Sequence, residues 1–307
     1  MQRALVILNP RARRGAATDV YAGIRAEVEH GFETRHALLD DSGTWKRELE
    51  RARVERFDRV VVVGGDGTVN AVANAILAGA SGASRDMTVA AVGVGSSNDF
   101  HKPNRRCANG VPLRIGAPRA RDAGLATWED DAGVAHARWF LVSASIGMSA
   151  RANRRFSSDR GLAPWLGARS VGAAITVAAL GALATHTNVG ARLRRADRSE
   201  VDMLVSNLSI MLTPHLAGAF RYESPIAPGE GRFALHLCEG MTRLELLATM
   251  ATLLGGTFGG SPRTESWASS VVSLELDREE DLELDGEVHR ARKVRFEAFS
   301  DVLEVCS

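Results

Sequence analysis

Apolar runs and amphipathic stretches alternate along the first third of the chain. RALVIL (3–8), ETRHALL (33–39), RVVVV (59–63) and MTVAAVG (87–93) read as strands, and the stretches at about 17–29 and 43–56 read as helices. Strands apolar on both faces and separated by helices indicate a parallel sheet covered on both sides. Such sheets take their ligands at the carboxyl ends of the strands.

After about residue 115 the pattern shortens and alternates. PLRIG, ARWFLVSASIG (137–147), VGARLRR, EVDMLVSNLSIML (200–212), RFALHLC (232–238), SVVSLEL (270–276) and KVRFEAF (293–299) read as closely spaced strands, with helices only around 148–185 and 242–254. That pattern predicts an antiparallel β-sandwich. The predicted division is an α/β lobe over 1–117 and a β-rich lobe over 118–307, with the last strand a candidate to return to the first lobe. A length of 307 residues and a 45% hydrophobic content supply two cores.

The formal charge of +1 argues against a nucleic-acid binder. Cys107, Cys238 and Cys306 have no CxxC spacing, so free thiols in a reducing cytosol are expected. MQRALVILNP has too short an apolar run for a signal peptide. VGAAITVAALGALAT (171–185) falls short of the roughly 20 residues of a spanning helix and reads as a packed one.

The chemistry concentrates in VVVGGDGTVNAVANAIL (61–77). Val69, Val72, Ala73, Ile76 and Leu77 repeat at helical spacing, so the segment is strand, glycine turn and helix. A helix N-terminus at a strand's carboxyl end offers N–H groups to an anion, and glycines admit a phosphate close to the backbone. Asp66 would repel that phosphate unless Mg²⁺ lies between them or its carboxylate takes a proton from an attacking hydroxyl. None of the three lysines follows a glycine, so there is no P-loop. The first strand ends in NPRARRG rather than GxGxxG, which excludes an NAD-type Rossmann turn. A second glycine turn, GVGSSNDF (93–100), follows the next strand.

Asn9, Pro10 and Gly15 (NP-x4-G), GGDGTVN (64–70) and GVGSSNDF (93–100) resemble, in this order, the catalytic domain of diacylglycerol and sphingosine kinases, particularly the soluble bacterial lipid kinases. RDAG with Asp122, FLVSASIGMSA (140–150), GEGRFALHL (229–237) and LDGE (284–287) extend the likeness over nearly the whole chain. GGDGT alone is shared with NAD kinases and is similar to a phosphofructokinase motif, so the specificity lies in the NDF segment and the late DGE. The resemblance implies a two-lobed, ATP- and Mg²⁺-dependent kinase with an NAD-kinase-like or phosphofructokinase-like first lobe and a diacylglycerol-like or other long-chain lipid acceptor. By the same resemblance, Asn9, Gly64, Gly65, Gly67, Thr68, Gly95 and Ser96 would bind nucleotide. Asp66 would act at the triphosphate with the metal, Glu287 would face the lipid hydroxyl, and Asn98, Asp99 and Asp122 would support metal or acceptor geometry. Asp66 and Glu287 both stand as candidates for the base. A homodimer is compatible with this reading.

Three positions depart from the family pattern: Ala71 in place of the Glu of GGDGT-x-NE, Ala91 in AVG, and Glu230 in GEG. Ala71 and Glu230 motivate a reading as a nucleotide-binding regulator without catalysis; a kinase of a soluble acceptor such as NAD is a further alternative. Asp285-Gly286 is also a type I′ hairpin signal. DREEDLELDGE (277–287), with seven acids against one Arg, reads as a solvated strand edge. RANRRFSSDRGLAPWLGARS (151–170) carries five arginines and Trp165, a composition suited to an anionic bilayer; Arg154, Arg155 and Trp165 are the expected contacts of a cytoplasmic enzyme with the inner membrane face.

Overall fold

The computed structural model describes residues 2–78, 84–103, 106–157, 171–223, 226–260 and 263–307. They form two compact units, Met1–Arg121 with Asp301–Ser307, and Asp122–Ser300.

In the first unit, strands β1 (Gln2–Leu8), β2 (Phe32–Leu38), β3 (Arg59–Gly64) and β4 (Ser84–Gly93) lie in the order β2-β1-β3-β4 and pair in parallel. Val60 to Val63 are at most 2% exposed, as a strand covered on both faces requires. Helices α1 (Ala17–Ala22) and α2 (Arg25–Val28) replace the single helix expected over 17–29. Ile24 leaves helical geometry between them, at φ −127°, and buries its side chain. Helix α3 (Thr44–Val54) buries Trp45, Leu49 and Ala52 at helical spacing. Helix α4 (Asp66–Ala78) buries Val69, Val72, Ala73, Ile76 and Leu77, the stripe legible in the sequence.

The second unit is largely antiparallel. Strand β5 (Val111–Arg114) still belongs to the first unit; the strands that follow are β6 (Pro118–Glu129), whose first residues also belong to the first unit, then β7 (Ala135–Phe140), β8 (Ser143–Gly147), β9 (Val189–Arg194) and β10 (Glu200–Met211). β11 (Phe233–Glu239), β12 (Thr264–Ser269), β13 (Val271–Leu284) and β14 (Glu287–Cys306) follow. β8 and β9 lie end to end between β10 and β13, each pairing with both. The two sheets expected of a sandwich are therefore one hydrogen-bonded path, β12-β11-β10-(β8, β9)-β13-β14. Ala126 on β6 shares a core with Leu237 on β11, so the sheet curls around a common interior. The end of β14, Leu303 and Val305, pairs in parallel with β4 inside the first unit.

On the other face of this sheet, helices α5 (Met148–Ser157), α6 (Val171–Ala184) and α7 (Arg243–Leu254) pack over a second core that includes Met148, Leu183, Met211, Tyr222 and Leu246. α7 opens with a reciprocal capping box between Thr242 and Glu245. The three cysteines are free thiols, Cys238 and Cys306 buried and Cys107 exposed.

One expectation is corrected here. The acidic run is not a solvated edge: Glu280, Asp281, Glu283 and Asp285 are 4–5% exposed. Buried charges need partners, and arginines supply several of them. Arg151 and Arg278 bind Glu280, while Arg154 and Arg290 bind Asp281. Arg154 makes this ion pair with its side chain 60% exposed. Arg155 donates to Thr185 Oγ1 at 3.0 Å. Trp165 lies outside the described residues.

Candidate active site

Asn9, Asp66 and Gly95 follow the carboxyl ends of β1, β3 and β4, which are neighbours in the parallel sheet. Adjacent strand ends gather the two glycine turns into one place. The glycines there have a steric reason of their own. A Cβ added at Gly95 would lie 2.4 Å from Gly65 Cα, and one at Gly64 would lie 2.4 Å from Thr68 Cβ. The turns therefore pack backbone against backbone, closer than any side chain allows.

Side chains fix this packing. The Asp66 carboxylate accepts the Asp99 N–H at 3.1 Å and the Phe100 N–H at 2.9 Å, so the acid of the first turn holds the second turn. Asn98 adopts left-handed backbone, φ 50°, and clamps Gly95: its Oδ1 accepts the Gly95 N–H at 2.9 Å and its Nδ2 donates to the Gly95 carbonyl at 3.2 Å. Asn9 Nδ2 donates to Thr68 Oγ1 at 2.9 Å, tying the end of β1 to the first turn of α4. Asp99 is buried and pairs with Lys102 at 2.7 Å. Phe100 is 1% exposed beneath the Arg121 guanidinium, 4.4 Å from its ring centroid, and its carbonyl accepts Arg114 Nε at 2.8 Å. His101 beside it is also buried, and desolvation together with Arg114 lowers its pKa to about 4, so its ring is neutral at pH 7. Gly67 lies in the first turn of α4, and Ser96 is the exposed tip of the second turn.

Asp122 and Glu287 belong to the second unit. Asp122 is buried, and its Oδ2 accepts the N–H groups of Gly229 and Gly231 at 2.9 and 3.2 Å. Its carboxylate is therefore engaged in holding the GEG turn. Glu287 follows the turn between β13 and β14, where Asp285 (φ 47°) and Gly286 (φ 95°) have the paired positive φ of a type I′ hairpin. Asp285 is more than a turn residue. Its Oδ1 accepts from Val142 and Ser143 N–H at 2.8 and 2.9 Å, and its Oδ2 from Leu141 N–H at 2.6 Å. Glu283 Oε1 accepts the Gly286 N–H at 2.7 Å, so the hairpin tip is anchored from two sides.

Glu287 itself is half-buried and pairs with Arg138 at 2.9 Å. Burial raises its pKa above the ordinary carboxylate range, the Arg138 charge opposes that shift and Asp285 adds to it. A carboxyl raised in this way is a better proton acceptor than a free one. Arg138 and the anchoring role of Asp285 escaped sequence reasoning, because their partners are remote in the chain and no local spacing marks them.

Among the described residues, no group of three or more His, Cys, Asp or Glu is placed to hold a metal ion. Asp66 nevertheless fits the way Mg²⁺ is often held, by one or two carboxylates with substrate phosphates and water. Each of its oxygens accepts one backbone N–H here.

Residues 3–106 match the family described as diacylglycerol kinase catalytic domain. The chain is 28% identical over 309 aligned positions to the "Probable lipid kinase YegS-like" of Pseudomonas aeruginosa strain UCBPP-PA14, covering 99% of this chain and 95% of that protein. Its fold is similar to a diacylglycerol kinase from Bacillus anthracis strain Sterne, with a TM-score of 0.68 at 14% identity over 99% of this chain and 96% of that one. Yeast NADH kinase is more distant, with a TM-score of 0.52 at 11% identity over 99% and 82%. Residues 3–106, which carry the paired glycine turns and the aspartate that joins them, are thus the part of the chain that matches the diacylglycerol kinase catalytic domain.

Proposed function

We propose that the protein is an ATP-dependent lipid kinase that transfers the γ-phosphate of ATP to the hydroxyl of a diacylglycerol-like or other long-chain lipid. One observation carries the reading: Asp66 at the start of α4 joins two interlocked glycine turns at the carboxyl ends of β3 and β4. Rigid backbone at strand ends suits a triphosphate. Asn9, Thr68 and Ser96 would contact the nucleotide, with Gly64, Gly65, Gly67 and Gly95 shaping the turns.

Asp66 would hold Mg²⁺, which when bound supplies charge neutralisation on the phosphates. The chain's own contributions are positional and acid–base. Asn98 and Asp99 keep the second turn in register with the first. Glu287, with its raised pKa, would take the proton of the acceptor hydroxyl, and Asp122 would support the acceptor side by fixing the GEG turn. In this reading the base contributes less than positioning and charge neutralisation.

A kinase of a soluble acceptor is the second reading, motivated by the fold likeness to NADH kinase. Incubation with γ-labelled ATP and total lipid extract, set beside NAD as acceptor, separates the two by the species labelled. ATP binding without label in either pool would instead identify a regulator that has lost catalysis.

A further inference from the structure

Helix α7 is apolar on more sides than its packing uses. Leu246 and Leu253 are buried and Met250 packs against the same core. Yet Leu244, Leu247 and Leu254 are 78%, 41% and 62% exposed, and Ala248 and Ala251 are exposed with them. These five positions repeat at i, i+3, i+4, i+7 and i+10, a second apolar stripe that faces solvent. The start of α7 lies beside the end of α6, because Arg243 Nη2 donates to the His186 carbonyl at 3.5 Å, and α6 adds Leu180, 47% exposed. Glu245, Thr249 and Thr252 occupy the remaining side, so α7 is apolar both towards the core and towards solvent, as a helix lying at a membrane surface can be. At twelve residues α7 is about 18 Å long, well short of the roughly 30 Å hydrocarbon layer, so it can only lie on a bilayer.

The charges at its ends select the partner. Arg243 opens the helix, and Arg221 packs its aliphatic stem against Gly256 just beyond the other end. Both are exposed, and neither makes an ion pair among the described residues. Arg155 lies against Gly181 of α6. Two copies of the chain joined through this stripe would set arginine against arginine whether the helices ran parallel or antiparallel. An anionic bilayer neutralises both ends and covers the leucines at once.

We infer that the solvent-facing stripe of α7, Leu244, Leu247, Ala248, Ala251 and Leu254, with Arg243 and Arg221 at its ends, is the face by which the protein docks on an anionic lipid bilayer. The choice of a bilayer rests on the lipid-kinase reading, but the surface itself does not. Flotation with vesicles of phosphatidylcholine containing phosphatidylglycerol tests it without requiring turnover. The wild-type protein is expected to float with these vesicles. Leu244→Ser, Leu247→Ser and Leu254→Ser together should weaken binding at least about tenfold, since each removes apolar area from the buried face. Arg243→Gln with Arg221→Gln should weaken binding and reduce its salt sensitivity. All these side chains are exposed, so circular dichroism and melting temperature should match wild type.

Wild-type protein that stays off the vesicles, or a triple leucine variant that binds as well as wild type, overturns the inference. A wild-type dimer that the leucine changes convert to monomer, with vesicle binding unaffected, would assign the stripe to self-association instead. Phosphorylation of a short-chain soluble lipid in the same preparations reports separately on the kinase reading: absent turnover with intact flotation strikes that reading and not the docking face.

Discussion

Arg154 Nη1 lies 2.7 Å from Asp281 Oδ1, and Arg290 Nη1 reaches the same oxygen at 2.9 Å. The pair joins helix α5 to strand β13 and keeps a carboxylate that is 4% exposed from being stranded. Because the Arg154 side chain is 60% exposed and Arg290 remains, Arg154→Ala should cost only about 1 kcal/mol. Removing both arginines should cost more than the two single losses added, since a buried charge then has lost both guanidinium partners. Urea unfolding of the two single variants and the double variant measures this coupling, and strictly additive losses would refute it.

Asp66→Asn should abolish phosphoryl transfer and also lower stability. An amide offers one oxygen where the two N–H groups of Asp99 and Phe100 meet two, so one backbone donor loses its acceptor, at about 1–3 kcal/mol. Turnover near wild type would remove Asp66 from the site; loss of turnover with an unchanged melting temperature would show that the second turn holds itself.

Glu287 links activity to pH in a stated direction. Its carboxyl is raised in the fold, chiefly by burial, so folding favours the protonated form. The associated stability is present in acid and is lost as pH rises through the raised pKa. Glu287→Gln should therefore lose turnover while its stability relative to wild type improves from acid to neutral pH. Arg138→Gln should raise the Glu287 pKa further, because Arg138 is the charge that opposes the shift. The acid limb of the pH–rate profile should then move to higher pH; an unmoved limb would exclude Glu287 as the group that titrates.

Gly95→Ala should damage the site from a distance of one methyl group. The new Cβ meets Gly65 Cα at 2.4 Å, and the obstacle is backbone that no rotamer change relieves. Both stability and nucleotide affinity should fall, measured by thermal melting and ATP titration. Ser96→Ala, at the exposed tip of the same turn, should leave the unfolding free energy within about 0.5 kcal/mol of wild type.

Local periodicity carried much of the secondary structure. Continuous valines at 60–63 and the stripe of α4 are legible because burial on one or both faces leaves a repeat of two or of 3.6 in the sequence. Strand Pro118–Glu129 was not, because its first half is charged and exposed and only its second half buries side chains. The glycine turns, the NDF segment and the DG hairpin were likewise visible, since backbone conformations that require Gly, Asn or Asp restrict the letters that can stand there.

The sequence by itself thus determined the strand, turn and helix grammar and the residues on which the family likeness rests. Only the tertiary structure decided what the charges do. It buries Glu280 and Asp281 against Arg151 and Arg154, spends Asp122 on the Gly229 and Gly231 amides, and sets Arg138 beside Glu287. The reason is physical: periodicity records solvent exposure along one element, whereas an ion pair depends on which remote element supplies the partner. A buried acid and a solvated one are written with the same letter, and the fold alone brings the arginine that distinguishes them.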